Sequence, residues 1–95
     1  MSYRIEIRRE ALHELKGLPA HVRAEALQRI DGLEKDPRPA RAKQLRDRPG
    51  IFRLWVAAHW RLVYEVDDDD AAVFVLRIRH KERIDYESLN PRDPP

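Results

Sequence analysis

The residues of this chain with the clearest chemical potential are its arginines. Arg53 with Trp55, then Arg61, then Arg77 with Arg79 stand in three apolar stretches that alternate in character at every second residue. Successive side chains of a strand point to opposite faces. If the stretches are strands of one sheet, these arginines share a side and Leu54, Leu62 and Leu76 share the other. Val63, Val73 and Val75 carry the parity of the arginines and are expected to floor their side. A guanidinium from each of three strands makes a cradle for phosphate, through charge and through paired N–H donors. The basic residues also cluster along the chain. Arg38, Arg41, Lys43, Arg46 and Arg48 face the single acid Asp47, and Arg77, Arg79, Lys81 and Arg83, with His80 among them, face Glu82. Charge neutralisation dominates binding to a nucleic-acid backbone, and that is the partner these clusters suit. The competing role is an ordinary ion pair of Arg53 or Arg61 with Glu65, which has their parity; surface pairs of that kind contribute little.

The other reactive side chains point to blander roles. His13 and His21 lie on or beside helical stretches and His59 in a turn, where structural or solvent roles are expected. No set of His, Asp and Glu has metal-ligand spacing, and the run Asp67-Asp68-Asp69-Asp70 lacks the glycine and distal glutamate of a calcium loop. The absence of cysteine excludes a disulfide framework, a thiolate zinc site and thiol catalysis. No cofactor is expected. Trp60 and Tyr64 are read as core residues.

The elements that must position the arginines follow from periodicity. Tyr3, Ile5 and Ile7 alternate with Arg4, Glu6 and Arg8, the period of a strand with one buried face. Ala11, Leu12, Leu15 and Leu18 then recur at helical spacing until Gly17 and Pro19, and Val22, Ala26, Leu27, Ile30 and Leu33 mark a second amphipathic helix that ends at Lys35-Asp36-Pro37. Residues 36–50 read as a basic connection closed by Pro49-Gly50. Strands are expected at Ile51–Val56, Trp60–Val66 and Val73–Arg79, joined by Ala57-Ala58-His59 and by the aspartates. The third strand should turn Phe74, Leu76 and Ile78 towards the helices. The predicted fold is α+β, in the order β-α-α-β-β-β, with a two-helix hairpin on one face of a small antiparallel-rich sheet.

Ninety-five residues, 42% of them hydrophobic, suffice for one core and no more. We read residues 1–86 as one domain and 87–95, with Asn90-Pro91 and Pro94-Pro95, as an extended or disordered tail. No apolar run approaches the ~18 residues of a membrane span, and charges interrupt the N-terminus where a signal peptide would be apolar. A cytoplasmic protein without a membrane partner is expected. A formal charge of +2 conceals the two basic clusters.

The ordered series of motifs resembles a known group. Tyr3-Arg4-Ile5-Glu6-Ile7, Ala11-Leu12-His13-Glu14-Leu15, Asp36-Pro37-Arg38-Pro39, Lys43-Gln44-Leu45, Gly50-Ile51-Phe52-Arg53-Leu54, Trp60-Arg61-Leu62-Val63-Tyr64 and Val75-Leu76-Arg77-Ile78-Arg79-His80-Lys81 together look like the RelE/ParE superfamily of bacterial type II toxins, on its RelE side, over roughly residues 3 to 86. The resemblance implies a toxin held inactive by a cognate antitoxin, entering the ribosomal A site and cutting mRNA without a metal, with operator DNA reached only through the antitoxin. It implies attack of the RNA 2′-hydroxyl on the adjacent phosphate, leaving a 2′,3′-cyclic phosphate. By the same resemblance Arg61 matches the phosphate-binding arginine, Arg53 a basic residue of the preceding strand, Lys81 a second key arginine and Tyr86 a C-terminal tyrosine that positions substrate; these four are the expected catalytic set. Arg77, Arg79, His80, Trp55, Lys43 and Arg46 are the expected RNA-binding set. Three positions depart from the pattern. Trp55 replaces a second basic residue, and an indole cannot hold a proton for base catalysis. Lys81 lacks the planar fork of arginine, and Arg79 stands where glycine is usual. Two other activities share the fold: a ParE-like inhibitor of DNA gyrase, and a degenerate toxin that only binds its antitoxin.

Overall fold

The computed structural model describes residues 2–83. Tyr86 and the tail from residue 87 lie outside them. Strand β1 (Arg4–Ile7) leads into helices α1 (Arg9–Lys16) and α2 (Ala20–Leu33), followed by β2 (Lys43–Leu45), β3 (Arg48–Val56), β4 (Trp60–Asp67) and β5 (Ala72–His80); Lys81–Arg83 form a 3₁₀ turn. The five strands make one sheet in the order β1-β5-β4-β3-β2. β1 runs parallel to β5, and the remaining pairs are antiparallel.

The helical hairpin covers one face of this sheet, as the periodicity predicts. Ala11, Leu15, Leu18, Val22, Ala26, Ile30 and Leu33 meet Leu54, Val56, Leu62, Tyr64 and Ile78 in a single buried cluster. Full burial of each large side chain here contributes on the order of 1.5–3 kcal/mol. Leu12 and Leu27 do not join it; they are 40% and 48% exposed. Each stands one residue, about 100° of helix rotation, beyond a buried alanine, Ala11 or Ala26, and so turns away from the sheet. The Arg23 guanidinium donates to the Lys16 carbonyl at 3.1 Å, closing the end of α1 from the start of α2. Tyr64 is fully buried, stacks on Phe52 with ring centroids 5.8 Å apart, and donates its hydroxyl to the Pro37 carbonyl at 2.8 Å. Burial raises the hydroxyl's pKa well above the usual tyrosine value.

Two expectations for the later strands are corrected. The stretch 36–50 is not all connection: Lys43–Leu45 forms the edge strand β2, and Pro49-Gly50 lies within β3. Gly50 takes a φ of +87°, which only glycine adopts without strain, and its N–H reaches the Gln44 side chain at 3.1 Å. The second correction concerns β5. Its register against β4 shifts between Val63, opposite Arg77, and Tyr64, opposite Val75, so Leu76 is an extra residue in a β-bulge. Beyond the bulge the parity reverses. Val73 and Val75 belong to the core under the helices, and Leu76 packs on the other face with Leu45, Ile51 and Val63. Phe74 also changes sides, level with Glu65 and under the Arg8 guanidinium, 5.0 Å from its ring centroid. Of the three β5 residues expected under the helices, only Ile78 is there.

Candidate nucleic-acid interface

On the face opposite the helices, strand register brings the sequence-predicted basic residues into two adjacent rows. Lys43, Arg53, Val63 and Arg77 are level across β2, β3, β4 and β5, and Trp55, Arg61 and Arg79 are level across β3, β4 and β5. Cβ atoms of cross-strand neighbours lie ~4.5–5.5 Å apart, and rows on one face about 7 Å apart. Like charges directly opposite one another destabilise a sheet. Here Lys43 opposes Arg53 and Arg61 opposes Arg79. Among the described residues no ion pair is made by Lys43, Arg53, Arg77 or Glu65. The Arg53–Glu65 pair considered from parity therefore does not form. Among the described residues no carboxylate offsets the Lys43–Arg53 opposition, and an anion laid across that row would relieve it.

The floor beneath these cations is apolar, as expected, but its members differ. Val63 is completely buried and Ile51 nearly so, with Leu45 and Leu76 packed around them. The bulge supplies Leu76 and withdraws Val73 and Val75. Arg61 is half-buried, and its guanidinium carbon stands 4.5 Å from the centroid of the Trp55 ring. That separation is a cation–π contact. Among the described residues Trp55 is, with Leu12 and Leu27, one of three large hydrophobic side chains left exposed, at 36%.

Not every predicted residue joins this face. Arg79 has the right register, but its Nε donates to Glu14 of α1 at 2.8 Å. Glu14 also accepts the Ile78 N–H at 3.1 Å. β1 pairs with β5 only from Ala72 to Val75, so Glu14 occupies the open edge beyond it. His80 lies on the helix side, level with Trp60; the two rings meet edge-on at 5.4 Å, and His59 stacks on His80 at 6.2 Å. His13, Glu14, Trp60, Arg79 and His80 line a cleft of about 610 Å³ at that edge. Lys81 is exposed, and its backbone N–H holds the His59 carbonyl at 2.9 Å, beside the β3–β4 turn. Arg46 is exposed in the turn between β2 and β3. Tyr86 lies outside the described residues. Glu25 of α2 likewise accepts the Ala57 N–H at 2.7 Å; Glu14 and Glu25 each bind backbone far along the chain, and no local sequence pattern marks such a contact.

The acids sharpen the charge asymmetry. Asp68 takes both guanidinium nitrogens of Arg38, at 2.7 and 3.2 Å, and the Tyr3 hydroxyl at 2.7 Å. The Arg38 hydrogen bonds, followed by that of Tyr3, hold the Asp68 carboxyl below its ordinary pKa. Asp70 pairs with Arg4 at 3.1 Å. The aspartate turn thus satisfies Arg4 and Arg38, and Arg38 leaves the basic cluster in which the sequence placed it. Among the described residues Arg53 and Arg77 make no ion pair. No group of three or more His, Asp or Glu among the described residues could hold a metal ion.

Comparison with known proteins places this geometry in context. A family model described as the ParE toxin of the type II toxin–antitoxin system, parDE, matches residues 5–85. The chain is 30% identical over 84 residues to the mRNA interferase toxin RelE of Escherichia coli (strain K12), covering 87% of each protein. Its fold superposes on the toxin in the intact E. coli RelBE toxin–antitoxin complex with a TM-score of 0.76 and 28% identity, over 86% of this chain and 100% of that one. The RelBE2 toxin–antitoxin complex of Mycobacterium tuberculosis gives a TM-score of 0.71 at 28% identity, over 84% of this chain and 99% of that one.

Proposed function

Because this chain belongs to the RelE/ParE superfamily of type II toxin–antitoxin toxins, we propose that it is a ribosome-dependent endoribonuclease that cuts mRNA in the A site without a metal, and that a cognate antitoxin inhibits it. The observation that carries this reading is the pair of cationic rows on the open face, with Arg61 seated over Trp55 above an apolar floor. Arginines facing arginine and lysine across strands suit a ligand that brings several negative charges at a spacing of a few ångströms. A polynucleotide backbone does so.

In the proposed reaction the 2′-oxygen forms a bond to phosphorus, the bond from phosphorus to the 5′-oxygen breaks, and the products are a 2′,3′-cyclic phosphate and a 5′-hydroxyl. One proton leaves the 2′-hydroxyl and one reaches the departing 5′-oxygen. In the phosphorane-like transition state negative charge builds on the non-bridging oxygens. Arg61, fixed on a central strand, meets that charge without reorganising. Arg53 and Arg77 extend the positive field along the flanking phosphates. Lys81 adds charge from the 3₁₀ turn, and Tyr86 is assigned the positioning of the nucleotide. The test is to induce the chain alone in bacteria and map RNA ends on translated messages. Cuts within ribosome-covered codons are expected and should vanish when the neighbouring antitoxin gene is co-expressed. Intact messages with DNA-damage signalling would replace this reading with a ParE-like action on gyrase.

A further inference from the structure

We propose that Trp55 is a positioning residue for Arg61: its indole holds the guanidinium at a fixed place above the sheet, doing by cation–π contact what a second charge cannot do at this position. The inference rests on reading Arg61 as the group that meets the scissile phosphate. Its grounds are geometric. Trp55 and Arg61 are directly paired across β3 and β4, and the guanidinium carbon lies 4.5 Å from the ring centroid. The next pair, Val56 with Trp60, closes the hairpin, so the two residues sit one step from a three-residue turn.

Two hydrogen bonds pin that turn. Ala57 and Ala58 both have positive φ, 47° and 66°, and the His59 N–H closes back on the Ala57 carbonyl at 2.7 Å. The Ala57 N–H donates to Glu25 of α2, also at 2.7 Å. The backbone carrying Trp55 and Arg61 is thereby tied to the helix layer. Two residues along β4 on the same face, Val63 is fully buried and anchors the strand. An indole standing on this frame has little freedom, and the arginine above it inherits that restriction. Arginine loses rotamer freedom when it engages a phosphate, and a contact that has already limited it lowers that loss. Like charge stands near Arg61 on the sheet: Arg53 and Arg77 lie in the next row, and Arg79, paired with Glu14, lies directly opposite. A neutral aromatic at 55 attracts the guanidinium, whereas a lysine or arginine there would push it away. The departure at position 55 is on this account a substitution of orientation for charge.

Two measurements on the full chain test this, using Trp55→Leu and Trp55→Phe, both of which keep an apolar side chain at an exposed site. The first is NMR of the Arg61 side chain. The indole ring current should shift its Hδ and Hε resonances upfield in the parent, less in Trp55→Phe, and not at all in Trp55→Leu. The second is single-turnover cleavage of ribosome-bound message. The rate should fall in the order Trp, Phe, Leu, with Trp55→Leu slowed roughly fivefold, the scale of one partly exposed cation–π contact. The loss should appear in the rate at saturating complex and not in the half-saturating concentration, because the charge of Arg61 remains. Equal Arg61 shifts in the parent and Trp55→Leu would overturn the proposal whatever the rates. Unequal shifts with equal rates would also overturn it, leaving the nuclease reading intact if Arg61→Ala is inactive. A parent that never cuts refutes the nuclease reading instead. Trp55 is then judged by the NMR comparison together with affinity for a single-stranded oligonucleotide, and an affinity unchanged in Trp55→Leu overturns its role.

Discussion

Replacing either alanine of the β3–β4 turn by glycine should make the protein more stable, the opposite of what Ala→Gly does elsewhere. Ala57 and Ala58 occupy the left-handed region at φ 47° and 66°. There the Cβ of an L-residue crowds the following carbonyl, at a cost of about 1–2 kcal/mol per residue. Glycine escapes that cost but brings a more flexible unfolded chain, which returns roughly 0.4–1 kcal/mol. The difference leaves a net gain of about 0.5–1 kcal/mol for each site. In a domain of this size that raises the melting temperature by roughly 2–5 °C. Adjacent sites share one turn, so the double variant should gain less than the sum. Urea unfolding of the parent, Ala57→Gly, Ala58→Gly and the double variant, checked for equal slopes, measures the effect. At an unstrained position the same substitution is destabilising, so the sign decides. If both single variants unfold at lower urea than the parent, the turn stores no strain and the account of how it is held fails.

Other outcomes follow from named contacts. Tyr64→Phe removes the hydroxyl that reaches the Pro37 carbonyl and should cost about 1–3 kcal/mol, read by urea unfolding, because a buried acceptor loses its donor. Glu14→Ala should cost about 1–2 kcal/mol and accelerate exchange of the Ile78 amide, since the carboxylate satisfies both that N–H and Arg79 at the open edge of β5. The Asp68 carboxyl has a folded pKa below its ordinary value of 3.8. Its contribution is therefore present above that pH and is lost as pH falls through the folded value. The stability gap between the parent and Asp68→Asn should close on acidification below about pH 4, and chemical unfolding at stepped pH will show whether it does.

The sequence was legible where its pattern was unambiguous. Strict alternation located β3 and β4, and the helical spacing of Ala11, Leu15, Leu18, Val22, Ala26, Ile30 and Leu33 located a core confirmed by burial. The same alternation put Arg53, Arg61 and Arg77 on the open face, as register requires. It failed in β5 for a physical reason. Ala72-Val73-Phe74-Val75-Leu76 is apolar throughout, so either parity is equally well buried and nothing local reports the bulge at Leu76. β2 is not legible in the sequence because three residues, Lys43-Gln44-Leu45, carry no periodicity, and pairing with β3 alone defines them. Leu12 and Leu27 fit the helical spacing because a helical stripe is wide, and only packing decides which of two neighbouring residues faces the sheet. The stack of Arg61 on Trp55, the capture of Arg38 by Asp68 and the tethering of Arg79 by Glu14 are consequences of register and topology. They changed the site from a tally of basic residues into a face with a definite centre.

That centre is Arg61, and the most direct test of the account is single-turnover cleavage of ribosome-bound message by the parent, Arg61→Ala and Arg61→Lys, with circular dichroism and urea unfolding to verify the fold. A donor already aimed at the developing charge is worth about 3–4 kcal/mol of barrier. Arg61→Ala should accordingly cut a few hundredfold more slowly while still folding and binding its antitoxin, and Arg61→Lys should recover only part of the rate because it restores charge without the fork. The parent's products should carry 2′,3′-cyclic phosphate and 5′-hydroxyl ends. Cleavage by Arg61→Ala at the parent's rate would contradict the account at its centre.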